Sequence, residues 1–290
     1  MKERTMVKVA TDWDDYEIIA TGDGEKLERW GKLILLRPDP QVIWHAKFPL
    51  KSYKGINAVY RRSEKGGGAW SNNANASFEV ERKGLRFSLK LMGFKHTGLF
   101  PEQAVNWDRM QELIKRANRP LKVLNLFAYT GGATVACAKA GAVVTHVDAA
   151  KAMVERAKKN AELSGVDSRN TRYIVDDCMK FIEREIRRGN KYDAVIMDPP
   201  SYGRGANGEV WKIEDSLADL VELTKGVLSD DLLFYLINSY TTGLQPTVLS
   251  NILTLALKGR KGKIESYEVA LPTKEGILLP CGASGMYFDI

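Results

Sequence analysis

At 290 residues, 44% hydrophobic and 27% charged, the chain has the composition of an ordinary soluble globular protein, with room for one large domain or two smaller ones. A net charge of +7 and a pI near 9.1 lean towards anionic partners. Three cysteines (Cys137, Cys178, Cys281) without a C-x-x-C pair argue against a disulfide framework or cysteine zinc site and fit a reducing compartment. No apolar run approaches the roughly 20 residues that cross a bilayer. The start of the chain runs into Asp12-Trp13-Asp14-Asp15 without an apolar signal core, so the cytoplasm is the expected address.

Residues 1–105 read as a small, mostly β domain. Strand-like runs at 16–19, 33–36, 41–44, 76–80 and 85–89 are separated by Gly, Pro and Asp, and Glu81-Arg82-Lys83-Gly84 suits a hairpin turn between the last two. Between the runs lie Lys47-Phe48-Pro49-Leu50-Lys51-Ser52-Tyr53-Lys54 and a second basic-aromatic segment, 60–70, that ends in glycines and Trp70. Cations interleaved with aromatics suit an arm that touches phosphates, through Arg61 and Arg62, and stacks on bases. The same composition suits a solvated hairpin tip whose aromatics pack on the sheet. Residues 95–103 form a connector. Residues 106–118 have helical spacing, with Trp107, Met110, Leu113 and Ile114 on one face and Pro120 as the stop.

The second domain, 106–290, alternates strand and helix patterns from Leu121 onward, as expected for a parallel sheet covered on both faces. Val123-Leu124-Asn125-Leu126-Phe127 is a short apolar strand that breaks at Ala128-Tyr129-Thr130-Gly131-Gly132 and leads into a small-residue helix, 133–140. Such a turn lets backbone approach a ligand and opens a helix whose first N–H groups are free. The next strand, 143–147, ends in Asp148, where folds of this kind grip the two hydroxyls of a ribose; capping the helix from Ala149 is the plainer role for that carboxylate. A third strand, 172–175, ends in Asp176-Asp177, either of which could cap the helix that follows. A fourth, 192–197, runs into Asp198-Pro199-Pro200-Ser201. Strands at 232–237, 264–271 and 286–290 and helices at 213–227 and 247–257 complete the pattern, with the last two strands expected to be an antiparallel pair at one sheet edge. Gly131-Gly132-Ala133-Thr134 is no G-x-G-x-x-G, which disfavours a nicotinamide-dependent oxidoreductase. No G-x-S-x-G elbow occurs, and no His, Asp or Glu cluster has metal-ligand spacing, so no metal is expected.

Taken together, the turn 123–132, Asp148, Asp177 and Asp198-Pro199-Pro200-Ser201 resemble a class I S-adenosylmethionine-dependent methyltransferase. Lys95-His96-Thr97-Gly98-Leu99-Phe100, Leu124-Asn125-Leu126-Phe127-Ala128-Tyr129-Thr130-Gly131 and the Asp-Pro-Pro-Ser tetrad look like the branch that methylates large-subunit ribosomal RNA at cytosine C5 or guanine N7. The resemblance covers about residues 95–290. It implies an α/β fold with a Rossmann-like methyltransferase sheet, mostly parallel with an antiparallel last strand, and S-adenosylmethionine as cofactor. It also implies that Asn125, Phe127, Ala128, Tyr129, Thr130 and Gly131 face the methionine part, Asp148 and Ala149 the ribose, and Asp177, or its neighbour Asp176, the adenine amino group. Phe100 and Gln103 would stand near the cofactor mouth, although Phe100-Pro101-Glu102-Gln103-Ala104 departs from the family's Phe-Leu-Asp-Gln-Arg.

Methyl transfer from a sulfonium is an in-line displacement in which the protein chiefly orients donor and acceptor. Pro199-Pro200 stiffens the backbone, and its carbonyls with the Asp198 carboxylate can accept hydrogen bonds from a flat base; Ser201 takes the place where amine methyltransferases carry a stacking aromatic, and Tyr202 follows one residue later. Cytosine C5 needs a thiolate to add to C6 first. The C5 members of the resembled branch carry that cysteine after the fifth strand, where this chain reads Ile237-Asn238-Ser239-Tyr240. Asn238 at that place resembles the guanine-N7 members and marks a substrate contact. The expected activity is therefore methylation of a ring or amino nitrogen in RNA, ribosomal RNA by the resemblance. A small-molecule or protein acceptor, and a catalytically silent RNA-binding module, are the alternatives.

Overall fold

The computed structural model describes residues 6–63, 67–71, 77–91, 96–204 and 210–289; residues 64–66 of the basic segment, Ala76, Lys95 and Ile290 lie outside the described residues. Two compact units emerge, one made of Met1–Lys8, Asn106–Val269 and Gly282–Ile290, the other of Val9–Val105 and Ala270–Cys281. The sequence places the tip of the last hairpin with residues 106–290, whereas it is grouped with the β-rich unit. There the Thr21 N–H bonds Glu275 at 2.8 Å and the Ala10 N–H bonds the Ala270 carbonyl at 2.9 Å.

After β1 (Met6–Val9), which edges the large sheet, the β-rich unit builds a five-stranded sheet in sequential order. Its strands are β2 (Tyr16–Gly22), β3 (Glu25–Trp30), β4 (Leu33–Pro38), β5 (Ala58–Arg62) and β6 (Gly68–Trp70). A separate hairpin joins β7 (Ser77–Arg82) to β8 (Leu85–Lys90) through Lys83-Gly84, both left-handed (φ 49° and 79°), the two-residue turn that matches strand twist. β3 has no apolar alternation in sequence. Its Glu28 is fully buried because Arg37 and the Tyr16 hydroxyl (2.8 Å) satisfy it from the neighbouring strands. The expected strand at 41–44 is absent: the segment folds over the β2–β3 turn, with the Asp23 and Gly24 N–H groups bonding the Trp44 and Val42 carbonyls at 2.8 and 2.9 Å, and Ile43 left in solvent.

The second unit opens with α1 (Ala104–Ala117), which presents Trp107, Met110, Leu113 and Ile114 to the core as its spacing predicts. Then come β9 (Lys122–Leu126), α2 (Gly132–Lys139), β10 (Val143–Asp148), α3 (Lys151–Leu163), β11 (Thr171–Val175), α4 (Cys178–Arg187) and β12 (Ala194–Met197). A small antiparallel hairpin follows, β13 (Tyr202–Arg204) and β14 (Val210–Lys212), and then α5 (Ile213–Thr224), β15 (Phe234–Ser239), α6 (Pro246–Ala256), β16 (Lys263–Pro272) and β17 (Leu278–Phe288). The sheet order is β1-β16-β17-β15-β12-β9-β10-β11; strands β15 to β11 run parallel and β17 pairs antiparallel with β15. The order reverses between β9 and β12, with chain connections leaving to opposite sides, so a crevice opens beyond the carboxyl ends of those strands.

Candidate active site

Register brings the key residues to that crevice. Leu126 of β9 stands opposite Met197 of β12 on one side and Val147 of β10 on the other, so Phe127, Asp198 and Asp148 leave the sheet side by side. At a strand spacing of about 4.8 Å, the Asp148 and Asp198 backbones lie roughly 10 Å apart, with the turn after β9 between them.

The turn is strained. Phe127 (φ 52°) and Tyr129 (φ 49°) are left-handed without being glycine, and Gly131 (φ 84°) follows them as the residue before α2. Such backbone persists only where its surroundings over-determine it. Here the Phe127 N–H meets the Cys178 sulfur at 3.4 Å, the Ala128 N–H bonds the Val147 carbonyl at 3.1 Å, and the Tyr129 N–H bonds Asp148 Oδ2 at 2.8 Å. Asn160 of α3 donates to the Thr130 carbonyl at 2.9 Å. A side chain at Gly131 would come within 2.8 Å of Ala157 Cβ, and one at Gly132 within 2.7 Å of the Trp107 ring. Only glycine lets the turn lie against α3 and α1 at these points.

Asp148 accepts backbone N–H groups on both oxygens. Its Oδ1 accepts the Ala150 N–H at 2.8 Å just before α3, and its Oδ2 holds the turn. Burial nevertheless raises its pKa, against the pull of those two N–H groups. A carboxylate short of solvent at a strand tip suits the vicinal hydroxyls of a ribose, and the neighbouring turn gives backbone room for the rest of an adenosyl ligand; the donor set fits S-adenosylmethionine. Ala149 is exposed beside it.

Asp177 proves to be the cap of α4, its Oδ1 accepting the Lys180 N–H at 3.0 Å, while Asp176 pairs with Arg184 and accepts the Asp177 N–H at 2.9 Å. Asn125 is buried, and its amide donates to the Thr134 hydroxyl of α2 at 2.9 Å; that hydroxyl also meets His146 Nδ1 at 2.9 Å. Burial drives the His146 pKa down to about 3, so it is a neutral packing residue. Asn238 is likewise committed: its carbonyl accepts from Asn106 at 3.1 Å and from Ser284 at 2.8 Å.

At the double-proline corner, the Ser201 hydroxyl meets the Thr241 hydroxyl at 2.6 Å, and Tyr202 begins β13 with its ring half in solvent. The β13–β14 hairpin brings a residue that sequence reasoning missed. Trp211 donates its indole N–H to the Pro200 carbonyl at 2.6 Å and sets its ring 5.4 Å from that of Phe127. It touches both the double-proline corner and the turn after β9. Phe100 and Gln103 belong to the other unit, where Phe100 precedes a short 3-10 turn, packs 5.4 Å from His96 and accepts the Gln103 N–H at 3.1 Å. Arg61 and Arg62 are exposed on β5 of the same unit.

Among the described residues no cluster of His, Cys, Asp and Glu could hold a metal ion, and no helix is long and apolar enough to cross a membrane.

Comparison with known proteins shows the family of the chain. A sequence profile of the S-adenosylmethionine-dependent methyltransferase family matches residues 54–243. The crystal structure of an S-adenosylmethionine-dependent methyltransferase from Agrobacterium tumefaciens superposes with a TM-score of 0.91 at 32% identity, over 98% of this chain and 93% of that one. The ribosomal RNA large subunit methyltransferase K/L of Magnetococcus marinus is 32% identical over 198 residues, 66% of this chain and 26% of that protein. The ribosomal RNA large subunit methyltransferase K of Neisseria meningitidis serogroup B is 25% identical over 245 residues, 80% of this chain and 67% of that protein. The chain spans less than a third of the length of the first I and K/L relatives it matches. With the profile covering most of the sequence and one crystal structure similar over nearly all of it, the chain belongs to the S-adenosylmethionine-dependent methyltransferase family.

Proposed function

We propose that this protein transfers a methyl group from S-adenosylmethionine to a ring or amino nitrogen of a base in ribosomal RNA. The observation that carries the reading is the alignment of Asp148, the strained turn and Asp198-Pro199-Pro200-Ser201 along one sheet edge. The names of the K/L and K relatives and the basic charge of the chain support RNA as the acceptor. An acceptor of this kind would place the work in the cytoplasm.

Bound S-adenosylmethionine supplies an electrophilic methyl on a sulfonium sulfur. In this reading Asp148, beside Ala149, holds the ribose diol, and the backbone of residues 127–131 lines the methionine part. Asn125, through Thr134, fixes the start of α2 against β9. The pair Asp176-Asp177 borders the adenine. The stiff Pro199-Pro200 backbone and the Asp198 carboxylate orient the base, with Ser201, Tyr202 and Asn238 on the acceptor side. The bound donor would pass its methyl to a base nitrogen, the S–C bond breaking as the N–C bond forms and S-adenosylhomocysteine leaving. A ring nitrogen such as guanine N7 has no proton to lose; an amino group passes one to Asp198.

Cytosine C5 requires a thiolate, and the thiols here are poor candidates. Burial raises the pKa of Cys137, Cys178 and Cys281 alike; for Cys178, beneath the turn, the nearby carboxylates of Asp148 and Asp177 add to the effect. None is held as a nucleophile near neutral pH.

The test is incubation with tritiated donor and total RNA from a strain lacking the gene, followed by digestion to nucleosides. Label in a nitrogen-methylated nucleoside is the expected result. Label in 5-methylcytidine overturns the nitrogen assignment, and binding of the cofactor without transfer to RNA overturns the acceptor.

A further inference from the structure

The β-rich unit carries a surface for which methyl transfer has no use. From Pro40 to Ser63 there is no aspartate or glutamate, although the chain has 36 acids in 290 residues and a stretch this long would hold about three. Within it Lys47, Lys51, Lys54, Arg61 and Arg62 are all exposed. Lys51 lies 3.5 Å from Glu25 but is 71% exposed, and His45 is taken by Asp23 at 3.0 Å. Lys47, Lys54, Arg61 and Arg62 have no carboxylate within ion-pair distance among the described residues.

The aromatics of this segment divide into two kinds. Tyr60 is buried, and Trp70 stands edge-on against it at 5.3 Å, so both serve the packing of the β5–β6 ribbon. Phe48 is 37% exposed and stacks on Tyr53 at 6.4 Å and 30°, in a segment that also carries Lys47, Lys51 and Lys54. The packing reading of the sequence therefore fits Tyr60 and Trp70, while Phe48 keeps the exposure that base stacking would require. On the ribbon, Arg61 and Arg62 are successive strand residues and point to opposite faces, both in solvent. Gly68, opposite Arg62, could carry no side chain, since a Cβ would come within 2.3 Å of the Arg61 carbonyl. The ribbon stays thin where its charge is greatest.

We infer that the segment 47–54 and the β5–β6 ribbon, with Arg61 on one face and Arg62 on the other, grip the backbone of an RNA strand, with an unpaired base stacking on Phe48. The inference rests on the proposed function for the identity of the polyanion, and it fails separately from it. Exposed cations in the same segment as a half-exposed ring match a chain of phosphates carrying flat bases. An anionic membrane would attract the same charges, but this surface offers a strand ribbon and a turn and no amphipathic helix.

The test is fluorescence anisotropy with a labelled oligouridine of about 12 nucleotides, titrated between about 50 and 300 mM salt. Arg61→Ala with Arg62→Ala, and separately Lys47→Ala with Lys54→Ala, should each flatten the slope of log affinity against log salt by about 1.4, or about 0.7 for each phosphate no longer neutralised. Phe48→Ala should weaken binding about 5- to 150-fold and leave the slope unchanged. Affinity for S-adenosylhomocysteine, by calorimetry, should be unchanged in every variant, which also reports that each is folded. A wild-type protein that ignores the oligonucleotide, or variants that keep its affinity within about twofold at wild-type slope, overturn the inference. Equal dependence of phosphatidylserine-vesicle binding on the same residues, without RNA binding, would assign the surface to membranes instead. Oligonucleotide binding as expected, with no methyl transferred to RNA, would sink the acceptor reading and leave the grip standing.

Discussion

Replacing Trp211 by phenylalanine removes one hydrogen bond and leaves an aromatic ring. The bond runs from the indole N–H to the Pro200 carbonyl at 2.6 Å, and the ring contact with Phe127, at 5.4 Å, survives in part. Trp211 is only half-buried, so the net loss of stability should sit at the low end for a hydrogen bond, about 0.5–1 kcal/mol, and lower the Tm by about 2 °C. The effect on chemistry should be larger. In the proposed reaction Pro200 would be the outer half of the corner that presents the acceptor, and a shift of about 1 Å costs about 100-fold in rate. Trp211→Phe should therefore slow single-turnover methyl transfer about 10- to 100-fold, with S-adenosylhomocysteine affinity within about threefold of wild type. Trp211→Ala also removes the contact with Phe127 and should weaken cofactor binding as well. This makes Trp211 a positioning residue and not a catalytic one. A Trp211→Phe enzyme with the wild-type transfer rate would show that the prolines hold the corner unaided, and the reasoning would be refuted.

Gly131→Ala places a side chain at φ 84° within 2.8 Å of Ala157 Cβ, and should cost about 2–4 kcal/mol in urea unfolding; a cost below about 1 kcal/mol would mean that α3 yields freely. Arg37→Met leaves Glu28 buried without its guanidinium and should destabilise by about 3–5 kcal/mol. Burial alone would raise the Glu28 pKa, but Arg37 and Lys26 hold it below the ordinary value, so the wild type loses this stability as pH falls through that lowered pKa. The variant should instead gain stability on acidification from neutral, because its stranded carboxylate then takes up a proton; unfolding at a series of pH values reads the change of sign. Burial raises the Asp148 pKa, so affinity for S-adenosylhomocysteine should be full at neutral pH and fall as the carboxylate protonates above its usual value of about 3.9. Asp148→Asn should bind weakly and without that pH dependence, and a calorimetric titration with wild-type affinity would remove Asp148 from the site. Cys281→Ser should keep the wild-type rate of methyl transfer, since burial holds that thiol protonated; loss of activity in a folded variant would restore a covalent mechanism.

The methyltransferase half was largely legible because its signals are local. The apolar run of β9, the glycines of the turn and the acid closing β10 lie within 26 residues, and parallel strands buried on both faces betray themselves as apolar runs. The β-rich unit was harder. β3 reads Glu-Lys-Leu-Glu-Arg-Trp, a sequence with no strand signature, and becomes a strand because Arg37 and Tyr16 satisfy Glu28 inside the sheet. Conversely, Gln41-Val42-Ile43-Trp44 has β-forming side chains but follows Pro38-Asp39-Pro40, and its backbone is spent on the neighbouring turn. The β13–β14 hairpin escaped notice because each strand has only three residues, and what fixes it is Trp211 reaching back eleven positions to Pro200.

The two asparagines show where reasoning from residue type stops. A buried amide in an apolar strand must find partners, and that much can be deduced from sequence. Which partners cannot, because Asn238 meets Asn106 from 132 residues away and Asn125 meets a threonine on the next helix. Asn125 spends its amide N–H on Thr134 and Asn238 its carbonyl on Asn106 and Ser284, so that part of each side chain ties a strand to its neighbours. Asp148 differs in a way that geometry and electrostatics expose together. Both its oxygens accept backbone N–H groups, yet its pKa remains raised, so the protein alone does not compensate the burial of that charge. In the proposed complex a ribose diol would bring two further donors to it. The strained turn beside it stays in place because Asn125, through Thr134, and Asn160, at the Thr130 carbonyl, tie it to the helices on either side.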